Sequence, residues 1–458
     1  MHVLPQPAAG VLPLEFDPEL IALVSRPGPR YSSYPTADRF SADFGYRDYL
    51  QAVAGLRTRA STKPLALYLH IPFCDTVCSN CTDGKVVSIN RDKSGVYLSY
   101  LKREIEMQSR LFAGMNRVDQ LHLGGGAPTY LSDAQMEDLM LHLRRSFQFA
   151  GDEQGEYVIE VNPRCVTPER ITRLRRQGFN RISFSLGLGL GLQQDDLPVL
   201  TGLVAAARAA SFRSVGVALT YDLPGQDADT LAHSLTHIIK AAPDRVALCD
   251  YADQQAPDLP GAATRLAMLG RCIDTLGPAG YVYMGMHHFA QAGDELAIAQ
   301  VQGRLHRNFQ GYSTHPDADL VSCGVSAISA VASTYSQNVN TLDAYYDLID
   351  SNELPIERGI RLGMDDALRR TIIQMLMCQF ELSIPCIEQA YPIDFAQYFS
   401  AELAQLGQLE RDGLVLIERE WLSVTPRGRI LIRNVCMVFD RYLSAGAGAT
   451  GVLHARTI

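Results

Sequence analysis

Three cysteines crowd into one short stretch of this chain, YLHIPFCDTVCSNC (68–81), at Cys74, Cys78 and Cys81. Spacings of four and three residues let a single loop wrap three thiolates around one centre. Iron–sulfur cubanes ordinarily take four cysteines, so three leave one iron of a [4Fe–4S] cluster with an open position. An open iron can bind the amino and carboxylate groups of S-adenosylmethionine and reduce its sulfonium to a 5′-deoxyadenosyl radical. The alternative is structural zinc, which prefers four ligands in two pairs. No second pair follows, although His70 is close by.

Two further features could serve the same chemistry. Gly124, Gly125 and Gly126 precede Ala127 and Pro128, and consecutive glycines let backbone groups approach a ligand without a Cβ in the way. A tight turn would use the same residues. Glu160 ends an apolar run, where a carboxylate can bind ribose hydroxyls or an ammonium group, or form an ion pair at a strand end. Seven other cysteines are dispersed; Cys378 in QMLMCQF and Cys436 in RNVCMVF read as buried small hydrophobes.

The elements that must position these residues follow from periodicity. Apolar runs at 65–71, 119–123, 157–161, 181–186, 215–221 and 245–252 have the length and composition of strands buried on both faces. Amphipathic helices alternate with them. Ser132 and Gln135 form a capping box ahead of Met136, Leu139, Met140 and Leu143. Thr167, Pro168 and Gly178 mark the cap, first turn and end of the next helix. Six such units predict an incomplete (βα)6 barrel over 61–340, with the cysteines at its mouth, and leave a doubly wound sheet as the alternative. Residues 1–60, with GPRYSSYPTADRF at 28–40, are expected to lie extended over the rest. Residues 341–458 are expected to form a mostly helical, winged-helix-like domain, with two short strands flanking a turn within 409–432.

Composition narrows the setting. The 458 residues are 47% hydrophobic and 20% charged, as in an ordinary globular protein. A net charge of −9, with no basic stripe, argues against nucleic acid as a partner. No signal peptide and no apolar stretch long enough to span a membrane is apparent, so a cytoplasmic protein without a membrane partner is expected.

Seven stretches resemble the oxygen-independent coproporphyrinogen III oxidase family, within the radical S-adenosylmethionine superfamily. They are GPRYSSYPTA (28–37), LYLHIPFC (67–74), GGGAPTYL (124–131), IEVNPR (159–164), HRNFQGYST (306–314), GVSAIS (324–329) and LIRNVCMVFD (431–440). HIPFC occurs across the superfamily, whereas HRNFQGYST and LIRNVC are specific to the family. The resemblance implies oxidative decarboxylation of two propionates of coproporphyrinogen III to vinyls, giving protoporphyrinogen IX. It implies one [4Fe–4S] cluster on Cys74, Cys78 and Cys81, two molecules of S-adenosylmethionine, and an electron donor protein. By position, Tyr68, Asn80, Gly125, Gly126, Ala127, Glu160, Ala252 and Ile328 would contact S-adenosylmethionine. Arg30 and Arg307, in two family-like stretches, are candidates for the substrate carboxylates, with internal ion pairs as the alternative.

The chain also departs from the family pattern. Thr82, Asp83 and Gly84 replace a stretch with a further cysteine, and Asn80 an aromatic residue. Ala127, Asn162, Gly187, Ala218, Asp253 and His287 stand where the family has Thr, Asp, Gln, Asp, His and Asp. These replacements predict a weaker hold on S-adenosylmethionine. They also define a second reading, a non-catalytic relative that keeps the cluster and carries haem or a porphyrin. A third, a radical methyltransferase or haem-opening enzyme, conflicts with HRNFQGYST and PRYSSYPT.

Overall fold

The computed structural model describes residues 14–57, 63–74, 86–87, 91–186, 196–251, 258–315 and 318–444. They fall into two compact units, each drawn from separated stretches of chain.

The first unit, residues 39–261 and 317–362, holds the strand–helix alternation. Its strands are β1 (Leu65–Ile71), β2 (Arg117–Gly125), β3 (Glu156–Val161), β4 (Arg181–Leu186), β5 (Ser214–Tyr221) and β6 (Arg245–Asp250). They pair in parallel and in strict chain order. A doubly wound sheet would reverse its order at a switch point. Here each strand adds at the same edge, the order of a βα barrel, and six successive strands make it an incomplete one. On the free side of β1 lies a parallel strand that periodicity did not announce, β7 (Asp319–Cys323). Three antiparallel strands follow it outward: β8 (Ile328–Val331), β9 (Thr334–Asn338) and β10 (Ile356–Arg361).

The strands are not buried on both faces, as their apolar runs lead one to expect. One face is fully apolar and buried, with Leu67, Leu69, Ile71, Leu121, Leu123, Ile159, Val161, Ile182, Phe184, Val217 and Leu219. Each such side chain stabilises by about 1.5–3 kcal/mol on burial. The other face is half-exposed and largely polar: Tyr68, His70, His122, Glu160, Ser183 and Ser185, with Ala218 beside them. A period of two separates the packing surface from a surface available to ligands. The helices begin where the sequence caps them. Ser132 Oγ accepts from Gln135 N at 3.2 Å while Gln135 Oε1 accepts from Ser132 N at 2.9 Å, and Thr167 caps Pro168–Gln177. Met136, Leu139, Met140 and Leu143 are the buried stripe of Asp133–Ser146.

The second unit comprises residues 1–38, 262–316 and 363–458. Its helices include Ala262–Leu276, Met364–Gln379, Ser400–Arg411 and Ile432–Val438. The expected hairpin is Val415–Ile417 with Trp421–Val424, and Glu381–Ser383 adds a third strand on the other side of Trp421–Val424. GPRYSSYPTA lies against LIRNVCMVFD. Tyr31 Oη donates to Asp440 Oδ2 at 2.9 Å, and Arg433 Nε donates to the Pro29 carbonyl at 2.9 Å. A Cβ on Gly28 would fall 2.3 Å from Met437 Sδ. Cys378 and Cys436 are buried, as their apolar surroundings predict, and burial pushes the Cys378 thiol up to about 12.

Candidate functional site

The backbone geometry around Cys74 is set by its neighbours. Pro72 has no N–H, so the β1 ladder stops at Ile71. Phe73, fully buried, is held between the Tyr130 ring, stacked with centroids 5.3 Å apart, and the Tyr97 ring, edge-on at 5.5 Å. The Pro72 carbonyl accepts from Val86 N at 2.8 Å, and Phe73–Cys74 pair in parallel with Val86–Val87. Cys78, Asn80, Cys81 and the substituted residues Thr82, Asp83 and Gly84 lie outside the described residues, as do Gly187, Ala252 and Asp253.

The glycine run completes this frame. Gly125 has φ 108°, where glycine is favoured, and a Cβ there would sit 2.8 Å from the His70 ring. A Cβ on Gly126 would sit 2.5 Å from the Phe73 carbonyl oxygen and 2.9 Å from Cys74 Sγ. Gly126 N donates to the Ile71 carbonyl at 2.7 Å and Ala127 N to the Phe73 carbonyl at 2.8 Å. The N–H groups of Gly126 and Ala127 are therefore committed to the protein. Their first task is to splice the tail of β2 onto the tail of β1, with Cys74 at the seam.

Polar side chains gather at the same, C-terminal, ends of β1 to β3, where parallel sheets bind ligands. Tyr68 is in register with His122, and His70 with Gly124. Tyr68 Oη meets His70 Nδ1 at 3.2 Å, and the Tyr68 and His122 rings lie 5.6 Å apart. Burial raises the Tyr68 phenol well above its ordinary range and the Glu160 carboxylate adds to this, so it stays protonated. His122 Nε2 is 2.9 Å from Glu160 Oε1. A Cβ on Gly124 would approach the Glu160 carboxyl group to 3.1 Å, so a bare residue there leaves the carboxylate its place. Tyr68, Gly125, Gly126, Ala127 and Glu160 are thus brought together with Cys74.

Ile328 begins β8, and its carbonyl accepts from Ser322 Oγ at 2.5 Å; Ser322 is the residue of β7 in register with Tyr68. The turn between β7 and β8 is gripped from behind by Glu104, a residue that sequence reasoning missed. Glu104 is fully buried and accepts from Gly324 N at 2.7 Å, Tyr345 Oη at 2.5 Å and Asn338 Nδ2 at 2.8 Å. Tyr97 Oη donates to the His70 carbonyl at 2.7 Å and accepts from Val325 N at 3.2 Å. His122 was also missed, although its two-residue offset from Gly124 in LHLGGG places both on one face.

The two candidate substrate arginines belong to the second unit. Arg30 is exposed. Arg307 is 9% exposed, and its guanidinium carbon lies 5.0 Å from the Tyr312 ring centroid. Its Nε and Nη1 have no hydrogen-bond partner among the described residues. Gln374 holds its backbone from both sides, donating from Nε2 to the Arg307 carbonyl at 2.7 Å and accepting from Arg307 N at 3.3 Å.

Three of the substituted positions are also visible. Ala218 sits on the half-exposed face in register with Ser185 and Ala247, offering no polar atom. Asn162 Oδ1 accepts from Arg164 N at 3.0 Å, the capping task a carboxylate would perform. His287 follows Met286 in the hairpin turn between Tyr281–Gly285 and His288–Gln291, both with positive φ, so that position answers to turn geometry.

The chain is similar along nearly its whole length to known proteins. Residues 68–186 match the model of the radical SAM superfamily, and residues 363–431 that of the HemN C-terminal domain. The oxygen-independent coproporphyrinogen III oxidase of Pseudomonas aeruginosa is 40% identical over 452 residues, covering 94% of this chain and 96% of the relative. That of Escherichia coli is 42% identical over 446 residues, with the same coverage of each. The solved structure of Escherichia coli coproporphyrinogen III oxidase (HemN), a radical SAM enzyme, superposes with a TM-score of 0.87 at 40% identity. It covers 94% of this chain and 99% of that one. Among the described residues no helix is long and apolar enough to cross a membrane.

Proposed function

This chain belongs to the oxygen-independent coproporphyrinogen III oxidase family, and we propose that it decarboxylates two propionates of coproporphyrinogen III to give protoporphyrinogen IX. The observation that carries the reading is the seam at which Cys74, the Gly124–Gly126 run and Glu160 meet on adjacent strand ends. Family membership implies a [4Fe–4S] cluster and S-adenosylmethionine. The residues present fit both: a thiol beside a backbone too close for any Cβ, and a half-exposed carboxylate on a polar face. When bound, these groups supply the radical chemistry that removes hydrogen from a propionate β-carbon.

The chain's own residues hold and orient. Cys74, Cys78 and Cys81 would ligate the cluster. Tyr68, Asn80, Gly125, Gly126, Ala127, Glu160, Ala252 and Ile328 would surround S-adenosylmethionine, Glu160 as an acceptor for its ammonium or hydroxyl groups. Tyr68, kept neutral by burial, closes the wall beside them without adding charge. Arg307, with two buried N–H-bearing atoms that meet no protein acceptor among the described residues, would take a propionate carboxylate, assisted by Arg30. An electron donor protein would supply the reducing electrons.

Ala218 favours a second reading, in which the cluster persists but turnover does not, because it removes an acceptor from the ligand-facing surface. One experiment decides between them. After anaerobic reconstitution, the protein is assayed for 5′-deoxyadenosine and protoporphyrinogen IX with and without coproporphyrinogen III. Substrate-dependent formation of both supports the oxidase. Iron uptake and porphyrin binding without either product would establish the carrier instead.

A further inference from the structure

The strand that carries Arg307 has no larger sheet to lean on. Among the described residues His306–Asn308 pairs with Gly311–Ser313 alone, and a two-stranded hairpin is marginally stable by itself. Its outer edge is met by side-chain amides of the helix Met364–Gln379 instead of by a third strand. Gln379 Nε2 donates to the Leu305 carbonyl at 3.2 Å. Two residues on, Gln374 takes both backbone groups of Arg307: Nε2 donates to the carbonyl at 2.7 Å and Oε1 accepts from the N–H at 3.3 Å. The Cys378 thiol donates to the same Oε1 at 3.8 Å. Reversing the amide would set NH2 against N–H and carbonyl against carbonyl, so its orientation is fixed. Tyr312, in register with Arg307 across the hairpin, is fastened to the same helix, its Oη donating to the Met377 carbonyl at 3.3 Å. Gly285 leaves the room, since a Cβ there would fall 2.6 Å from that hydroxyl oxygen. Both members of the cross-strand pair are thus tied to one helix, with the guanidinium carbon 5.0 Å from the Tyr312 ring centroid.

We propose that Gln374 is a positioning residue for substrate recognition: by pairing with both backbone groups of Arg307 it holds the hairpin where the guanidinium lies over Tyr312 and keeps its Nε and Nη1 N–H groups for a propionate carboxylate. The inference rests on the reading of Arg307 as a substrate contact. A marginal hairpin would lose backbone freedom on binding, so ordering it beforehand lowers the cost of association. Gln374 acts through the backbone of Arg307. Its effect therefore falls on porphyrinogen affinity and leaves S-adenosylmethionine affinity untouched.

The test measures dissociation constants for coproporphyrinogen III and S-adenosylmethionine by anaerobic equilibrium dialysis on the reconstituted full-length protein, with a melting temperature for each variant. Gln374→Met keeps the length of the side chain and removes both hydrogen bonds to Arg307; Gln374→Leu repeats the measurement should that variant not fold. Gln379→Met is the control, because it removes a bond to the same strand edge at Leu305 and leaves Arg307 its partner. The expected result is about tenfold weaker porphyrinogen binding in Gln374→Met, unchanged S-adenosylmethionine binding, and less than about twofold change in Gln379→Met. Added to Arg307→Met, Gln374→Met should cost no further affinity. Unchanged porphyrinogen binding in Gln374→Met, equal losses with and without Arg307, or a loss as large in Gln379→Met would overturn the proposal and leave Gln374 a framework residue. Should Arg307→Met alone leave porphyrinogen affinity unchanged, the underlying assignment of Arg307 falls, an outcome distinct from failure of the glutamine.

Discussion

Glu104 is the clearest case of a single residue whose surroundings oppose one another. Burial raises its carboxyl group, while the Tyr345 hydroxyl, the Gly324 N–H and the Asn338 amide pull it down, and burial prevails to leave it at about 7. A carboxyl group raised in the fold keeps a proton that the unfolded chain releases. Its contribution is therefore complete below about pH 4.5 and fades as pH rises through about 7. Glu104→Gln removes this titration. Measured by urea unfolding, the variant should gain on the parent protein steadily between about pH 5 and pH 8. Parallel stability curves over that interval would show that the three donors, not burial, set the group's ionisation. At Ala218 the prediction concerns affinity. The position lies beside Ser185 on the half-exposed face. Ala218→Asp restores an acceptor there, and a charge-assisted bond of about 1.5–3 kcal/mol corresponds to roughly ten- to hundredfold tighter S-adenosylmethionine binding. Calorimetric titration showing unchanged affinity would mean that other groups already serve the ribose.

At the scale of elements, the junction of β1 and β2 concentrates the constraint. A methyl group at Gly126 would meet the Phe73 carbonyl at 2.5 Å, and backbone cannot swing aside as a side chain can. Gly126→Ala should displace the Phe73–Cys74 tail and sharply reduce iron uptake on reconstitution, whereas Gly151→Ala, with nothing within 4 Å, should load normally. Normal iron content in Gly126→Ala would show the seam to be pliable. Much at this scale was legible in the sequence, because apolar periodicity and caps are local. The runs at 65–71 and 181–186 are strands with those bounds, and Ser132 and Thr167 cap the helices they precede. Less legible was anything that depends on register. The His122–Glu160 pair spans 38 residues and exists because β2 and β3 align as they do. Glu104 reaches Gly324 across 220 residues. The polar face was hidden because Tyr68 and Val158 read as apolar while facing the half-exposed side, so alternating strands resemble continuous hydrophobic runs. The strand β7 was missed because no strand–helix rhythm precedes it.

Over the whole molecule, the two kinds of motif separate by unit. LYLHIPFC, GGGAPTYL, IEVNPR and GVSAIS belong to the unit of residues 39–261 and 317–362, and GPRYSSYPTA, HRNFQGYST and LIRNVCMVFD to the other. A linear division at 60 and 340 does not express this, since both units are discontinuous. The partition predicts that cofactor and substrate binding can be damaged independently. Arg307 offers the sharpest test. Its guanidinium is buried and lies over the Tyr312 ring, and its Nε and Nη1 meet no hydrogen-bond partner among the described residues. A buried charge with unmet N–H groups costs stability, so it is retained at a loss that a ligand carboxylate would offset. Arg307→Met keeps much of the packing volume and removes the charge. The variant should melt no lower than the parent protein, and bind S-adenosylmethionine unchanged. Its affinity for coproporphyrinogen III should fall at least about tenfold, the weight of one charge-assisted bond. Anaerobic equilibrium dialysis with each ligand, beside thermal unfolding, separates the possibilities. A lower melting temperature with equal loss of both ligands would make Arg307 a framework residue. Higher stability with porphyrinogen binding intact would place the substrate carboxylates elsewhere.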